Sequence, residues 1–173
     1  MEKGGRFVVV DVETTGFSAR QGARVIEVGA VAVENGQLTE EFTTLIDARA
    51  PIAAGALRTH GISQAMLRGK PGPSDVWPGF RDFVGNASLV AHNSPFDSSF
   101  ILNELSRLGH RLPNRWYCTV ELSRRKLPHL PNHKLETVAR HLLPGLPADL
   151  TFHRALDDAR LTARVWLALT GDL

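Results

Sequence analysis

The stretch Phe7-Val8-Val9-Val10-Asp11-Val12-Glu13-Thr14-Thr15-Gly16 decides how the chain is read. Side chains alternate along a strand, so Asp11 and Glu13 share one face. Val8, Val9, Val10 and Val12 form a β-branched run suited to a strand covered on both sides, and such strands seldom carry two acids without a compensating cation. Two neighbouring carboxylates at a core edge suggest a metal. The plainer reading is a strand end emerging into water, with Thr14-Thr15-Gly16 as an ordinary turn and both acids solvated. This segment alone leaves both readings open.

Working outward, Val25 to Val33 reads as a second strand, Asn35-Gly36 as a hairpin turn and Glu40 to Ile46 as a third strand, which predicts an antiparallel meander. A short helical pattern covers Ala54 to Thr59 and ends at His60-Gly61, where glycine suits a helix C-terminus. Pro71-Gly72-Pro73 is a hard break. Ser74 then reads as the cap of a helix to about Val84, with Val76, Trp77, Phe80 and Phe83 on its apolar side and Pro78 at the end of its first turn. Ser88 to Ala91 is a short strand. Ser94-Pro95 opens a helix whose buried stripe is Phe96, Phe100, Ile101, Leu105 and Leu108, stopped by Gly109. Another strand at Trp116 to Cys118, helices near Val120 to Lys126 and Lys134 to Leu143, and a last helix from about His153 to Leu169 complete the chain. Three successive strands followed by strands alternating with helices predict an α/β mixed sheet, antiparallel at one edge and parallel elsewhere. Asp11 and Glu13 then lie at the carboxyl end of a central strand, where open α/β sheets place their sites.

At 173 residues, 43% hydrophobic and 22% charged, the chain has the size and balance of one well-cored globular domain spanning 1–173. The net charge of +2 is weak support for a polyanionic partner. Its distribution says more. Arg107, Arg111, Arg115, Arg124, Arg125, Lys126, Lys134 and Arg140 crowd one region whose only acids are Glu104, Glu121 and Glu136, a surface suited to phosphates or simply a solvated helix face. Cys118 is the only cysteine, which excludes an internal disulfide and a thiolate zinc cluster and fits a reduced, cytoplasmic setting. The amino-terminal apolar run is interrupted by Asp11 and is too short for a signal peptide or a membrane span.

The second constellation is His92-Asn93-Ser94-Pro95-Phe96-Asp97, a strand-to-helix junction. Ser94-x-x-Asp97 also resembles a capping box, and an acid in the first turn is stabilised by the helix dipole without any catalytic role. The third is His153-Arg154-Ala155-Leu156-Asp157-Asp158. Helical spacing gives Asp157 the company of Arg154, Arg160 and Arg164, a solvated and salt-bridged stripe, and gives Asp158 that of Ala155, Leu161, Thr162 and Val165, a more inward face. A lone histidine at a helix start is ordinarily a surface or capping residue, so His153 gains weight only through Asp158. His129 and His133 flank Pro131 and read as surface or nucleic-acid-facing loop residues. Cys118, Trp77, Trp116 and Trp166 read as packed residues.

Together the three segments resemble the DEDDh, DnaQ-like family of 3′-to-5′ exonucleases, with Asp-x-Glu-Thr at Asp11/Glu13/Thr14, Asn-x-x-Phe-Asp at Asn93/Phe96/Asp97 and His-x(4)-Asp at His153/Asp158. The intervening Thr59-His60-Gly61-Ile62 and the segment from Cys118 to Arg125 look most like the proofreading epsilon subunits of bacterial DNA polymerase III and exonuclease X. The resemblance spans nearly the whole chain and no catalytic position departs from the pattern.

It implies a ribonuclease-H-like, five-stranded mixed sheet and two divalent ions, Mg²⁺ or Mn²⁺, held by Asp11, Glu13, Asp97 and Asp158, an all-carboxylate set suited to hard cations. It makes His153 the general base, histidine being the side chain that titrates nearest neutrality. Thr14, Thr15, Gly16, His60, Asn93 and Phe96 become contacts to the terminal nucleotide. The implied activity is removal of mononucleotides from single-stranded DNA ends. The alternatives are the same chemistry on RNA, or a catalytically silent nucleic-acid-binding module or polymerase accessory subunit. The chain stops directly after its last predicted helix, which suits a stand-alone trimming enzyme or a catalytic domain taken from a longer protein.

Overall fold

The computed structural model describes residues 5–147 and 152–171. Its centre is one five-stranded sheet in the order β3-β2-β1-β4-β5, made of β1 (Phe7–Thr14), β2 (Val25–Glu34), β3 (Gln37–Leu45), β4 (Ser88–Ala91) and β5 (Trp116–Cys118). The first three strands pair antiparallel, and β1 with β4 and β4 with β5 pair parallel. The mixed sheet expected from the order of elements is therefore the one formed. β3 begins at Gln37 rather than Glu40, because Asn35, in the left-handed region at φ 51°, and Gly36 turn the chain tightly enough for Gln37 to pair at once with Glu34.

Val8, Val9 and Val10 are fully buried, so β1 is covered on both faces. Val8, Val10 and Val12 pack with residues of α3 (Pro73–Val84) and α4 (Ser94–Arg107), including Trp77, Phe80, Phe100 and Ile101. Val9 lies on the opposite face with Val90 and with Ala163, Trp166 and Leu167 of α7 (Ala155–Thr170). Each such buried side chain contributes about 1.5–3 kcal/mol through removal of apolar surface from water. Asp11 and Glu13 continue the Val9 row, so the strand's two acids point to the side roofed by α7.

The remaining helices frame this core. α1 (Ala54–His60) ends at Gly61, which takes φ 70° and returns its N–H to the Leu57 carbonyl. α2 (Gln64–Leu67) follows; α5 (Thr119–Lys126) and α6 (Leu135–Leu142) then pack with α7 around Val138, Leu161 and Val165. α3 is capped by Gly72 with Pro73 in its first turn, not by Ser74, and the Asp75 carboxylate accepts the Gly72 N–H at 2.9 Å. α7 begins at Ala155, two residues later than helical periodicity predicts, because His153 takes φ 71° and cannot join the helix. Among the described residues no helix is long and apolar enough to cross a membrane.

A candidate two-metal active site at the carboxyl end of β1

A cleft of about 210 Å³ opens where β1 ends. Asp11, Glu13, Asp97, His153 and Asp158 all line it, together with Thr14, Gly16, His60 and Phe96. Three elements deliver the four acids: β1 carries two, α4 places Asp97 in its first turn, and α7 places Asp158 in its own.

Each delivery has a local cause. Asp97 does not close a capping box with Ser94; its Oδ1 instead accepts the Val12 N–H at 3.2 Å, joining α4 to the strand that bears the other acids. α4 is further held by Glu104, which is fully buried, takes a two-pronged ion pair from Arg24 at 2.7 Å for each bond, and accepts the Val25 N–H. Asp158 is 6% exposed and its Oδ2 accepts the His153 N–H at 2.7 Å. Asp157, one residue away, points outward to Arg160 at 3.0 Å. Arg154, which helical spacing offers to Asp157, turns instead to Glu27 at 2.8 Å.

Electrostatics marks the cluster as one that could hold a cation. Burial holds the Asp11 carboxyl well above the usual carboxylate range, and the neighbouring Asp97, Asp158, Glu13 and Glu27 push it further. Glu13 is pushed up to about 8, first by burial and then by Asp158, Glu27 and Asp97. Burial raises Asp97 to about 8 against the Val12 hydrogen bond that stabilises its anion, and burial also raises Asp158. Carboxylates forced together with so little hydrogen bonding are relieved by a hard divalent ion, and the all-oxygen set fits one. Ligand atoms of Glu13, Asp158 and His153 already lie within 4.8 Å of one another.

The other residues named from sequence divide. Thr14 donates its hydroxyl to the Gly16 carbonyl at 2.7 Å and so shapes the turn. A Cβ at Gly16 would meet only Ala23, at an ordinary contact distance of 3.5 Å, so packing within the fold does not demand glycine there. His60 donates from Nε2 to the Thr14 carbonyl at 3.1 Å and accepts the Ile62 N–H on Nδ1, which fixes one neutral tautomer; burial lowers its pKa. Thr15 is buried and its hydroxyl accepts the Arg24 N–H, and Asn93 is an exposed helix cap at φ 75°, so neither lines the cleft.

Sequence reasoning missed three participants. Phe17, 77% exposed, forms the rim beside α1. His92 lines the wall, donates from Nε2 to the His133 carbonyl at 2.9 Å, and bonds the Thr119 hydroxyl through Nδ1; burial lowers its pKa to about 4. The His133 ring in turn bonds Ser123, so this histidine braces the loop rather than facing outward alone. Glu27, the cross-strand partner of Glu13, is buried beside the acid cluster. A glutamate in an otherwise apolar strand was the available signal for it.

The exonuclease family profile matches residues 8–166. The chain is 41% identical over 159 residues to the PolC-type DNA polymerase III of Clostridium perfringens, covering 92% of this chain and 11% of that one. It is 36% identical over 170 residues to the DNA polymerase III epsilon subunit of Aquifex aeolicus, covering 98% and 82%. The chain thus spans only a small part of the PolC-type polymerases and most of the epsilon subunit. A structure of exonuclease X in complex with 5′-overhanging duplex DNA superposes with a TM-score of 0.76 at 28% identity, over 95% of this chain and 91% of that one. The nuclease domain of 3′hExo bound to rAMP, at 18% identity and a TM-score of 0.79, shares the fold. The chain belongs to the DEDDh, DnaQ-like family of 3′-to-5′ exonucleases.

Proposed function

We infer that this chain works as one metal-dependent exonuclease domain that shortens single-stranded DNA from its 3′ end and releases nucleoside 5′-monophosphates. The observation that carries this reading is the arrival of Asp11, Glu13, Asp97 and Asp158 from three elements at one cleft that His153 also enters. Those four carboxylates would hold two divalent ions, Mg²⁺ or Mn²⁺, which when bound neutralise the cluster and polarise the scissile phosphate.

The chain's own groups do the rest. His153 would accept the proton of the attacking water, the role for which an exposed imidazole beside Glu13 and Asp158 is suited. The Thr14–Gly16 turn, braced by His60, would present backbone to the terminal nucleotide, with Phe96 on the wall and Asn93 and Thr15 supporting from outside the cleft. Phe17 offers an exposed ring on which a base can stack, an interaction worth about 1–3 kcal/mol.

DNA is favoured over RNA because the relatives at 36–41% identity are DNA polymerase III chains and the exonuclease X structure holds DNA. Their names also support a DNA polymerase as a partner. Labelled single-stranded DNA, single-stranded RNA and mismatched duplex, each incubated with Mg²⁺, Mn²⁺ or chelator, test the reading by product size. Mononucleotides from DNA with a free 3′ end, and none in chelator, are expected. Faster RNA cleavage would move the substrate to RNA, binding without cleavage would make the chain an accessory module, and activity in chelator would end the metal reading.

A further inference from the structure

Glu27 is 3% exposed, lies directly across the ladder from Glu13, and yet both its oxygens are already committed. Its Oε1 accepts from Arg154 Nη2 at 2.8 Å and Nε at 3.2 Å, and its Oε2 accepts the Ala155 N–H at 3.1 Å. A carboxylate so occupied is a poor metal ligand, although it sits beside the ligands. What it grips is the segment directly after His153. On the other side of the same residue, the His153 N–H is held by Asp158.

His153 itself stands at φ 71°, a left-handed conformation uncommon for residues with a Cβ, although histidine enters it more readily than most. Glu27 and Asp158 therefore hold the backbone on both sides of this left-handed residue, whose exposed ring lines the cleft. The clamps differ in kind. Asp158 also belongs to the acid cluster, whereas Glu27 and Arg154 have no bond to any of the four acids. An ion pair between a buried carboxylate and a half-exposed arginine is a weak source of stability compared with apolar packing, and the attested use of such pairs is to fix one arrangement among several.

We propose that the Glu27–Arg154 ion pair is a positioning device for catalysis, which holds His153 in its left-handed conformation so that the imidazole faces Glu13 and Asp158. The proposal rests on the reading of His153 as the base. The pair sets where the base stands; Glu27 also raises the Glu13 carboxyl and Arg154 lowers it, so removing both charges together disturbs the acids least, and the loss then falls on turnover rather than on substrate binding. Arg154 pairs through a planar fork, so lysine restores the charge but only part of the orientation.

The test is a mutant cycle on the whole chain, with turnover on labelled single-stranded DNA, KM, Mn²⁺ affinity and thermal unfolding read for each protein. Arg154→Ala is expected to lower kcat roughly 10- to 100-fold, the range for losing a group that orients a reacting one, with KM within about twofold; Mn²⁺ affinity is compared on the charge-neutral pair Glu27→Gln/Arg154→Met, where it should stay within about twofold. Arg154→Lys should recover part of the loss. In a His153→Ala background, Arg154→Ala should cost nothing further, because there is no base left to position. Losses that multiply, that appear in KM, or that appear in the Mn²⁺ affinity of the charge-neutral double replacement would overturn the proposal. If His153→Ala alone leaves turnover unchanged, the base assignment fails first; if it abolishes turnover and Arg154→Ala does not reduce it, only the positioning role fails. Should Arg154→Ala unfold by stranding the Glu27 charge, Glu27→Gln combined with Arg154→Met removes both charges and puts the same question. As a readout independent of activity, the ¹⁵N-labelled His153 amide should show one sharp resonance in the parent and exchange broadening in the Arg154 variants.

Discussion

The backbone nitrogen of Leu156 lies well inside contact distance of where a Cβ on Gly29 would have to sit, too close for any side chain there. Gly29 is the ladder partner of Asp11, so the first turn of α7 rests on the sheet directly across from the first acid of the cluster. That close approach is what brings Asp158 to the cluster, and only a residue without a side chain permits it.

Gly29→Ala is accordingly expected to lift the start of α7 off β2. Overpacking typically costs about 1–3 kcal/mol, and here the opposing atoms are backbone and yield poorly. The functional loss should exceed the loss of stability, since Asp158 moves with the helix. Denaturant unfolding beside Mn²⁺ titration of the same protein separates the two. Normal metal affinity in a folded Gly29→Ala protein would show that α7 can settle elsewhere without moving its ligand.

The acid cluster also fixes how stability varies with pH. Glu13 and Asp97 are raised to about 8 in the folded chain, chiefly by burial, whereas unfolded carboxyls titrate near 4. Without metal the folded state binds the extra protons, so these groups support the fold fully below about pH 4 and the support is lost as pH rises through about 8. Divalent ions bind the ionised cluster, and their stabilisation should grow across the same window. Thermal midpoints of the metal-free protein should fall from about pH 5 to pH 8.5, and saturating Mg²⁺ should flatten the decline. A metal-free profile that stays level there would mean that the carboxyls ionise without penalty.

Not every ion pair here carries equal weight. Arg24 pairs with Glu104, of which 1% of the side chain is exposed, while Arg160 joins Asp157 and Glu41 at the surface. Arg24→Ala strands a buried carboxylate beneath α4 and is expected to cost about 3–5 kcal/mol. Arg160→Ala should cost no more than about 1 kcal/mol, because water screens its partners. Chemical denaturation of the two proteins settles the order, and equal losses would contradict the burial argument.

Much of this was legible before any coordinates. The valine run around Asp11 implied a strand covered on both faces, and alternation placed Asp11 and Glu13 together. Glu104 and Glu27 were not legible as structural acids, because their partners Arg24 and Arg154 lie 80 and 127 residues away and no local spacing reports such distances. Periodicity also ran the last helix back to His153, since it reads side-chain character and is blind to a positive φ at a residue other than glycine. Phe17 escaped for a related reason: an aromatic after a turn looks like core until the chain is seen to leave it in solvent.

Asp157 and Asp158 provide the sharpest test, because they are chemically identical neighbours with opposite surroundings. Asp158 is buried in the cleft and holds the His153 N–H, whereas 57% of the Asp157 side chain is exposed and its ion pair is with Arg160. Asp158→Asn should therefore nearly abolish turnover and weaken Mn²⁺ binding, while retaining an amide oxygen that can accept the His153 N–H. Asp157→Asn removes one exposed pair worth about 0.3–0.5 kcal/mol and should leave turnover close to that of the parent. In the absence of metal the two should separate in the other direction. Removing one charge from a crowded, buried cluster relieves repulsion, so Asp158→Asn should unfold no earlier than the parent at pH 8. Turnover, Mn²⁺ titration and metal-free thermal melts on both variants decide it, and an inactive Asp157→Asn beside an active Asp158→Asn would overturn the placement of the fourth ligand.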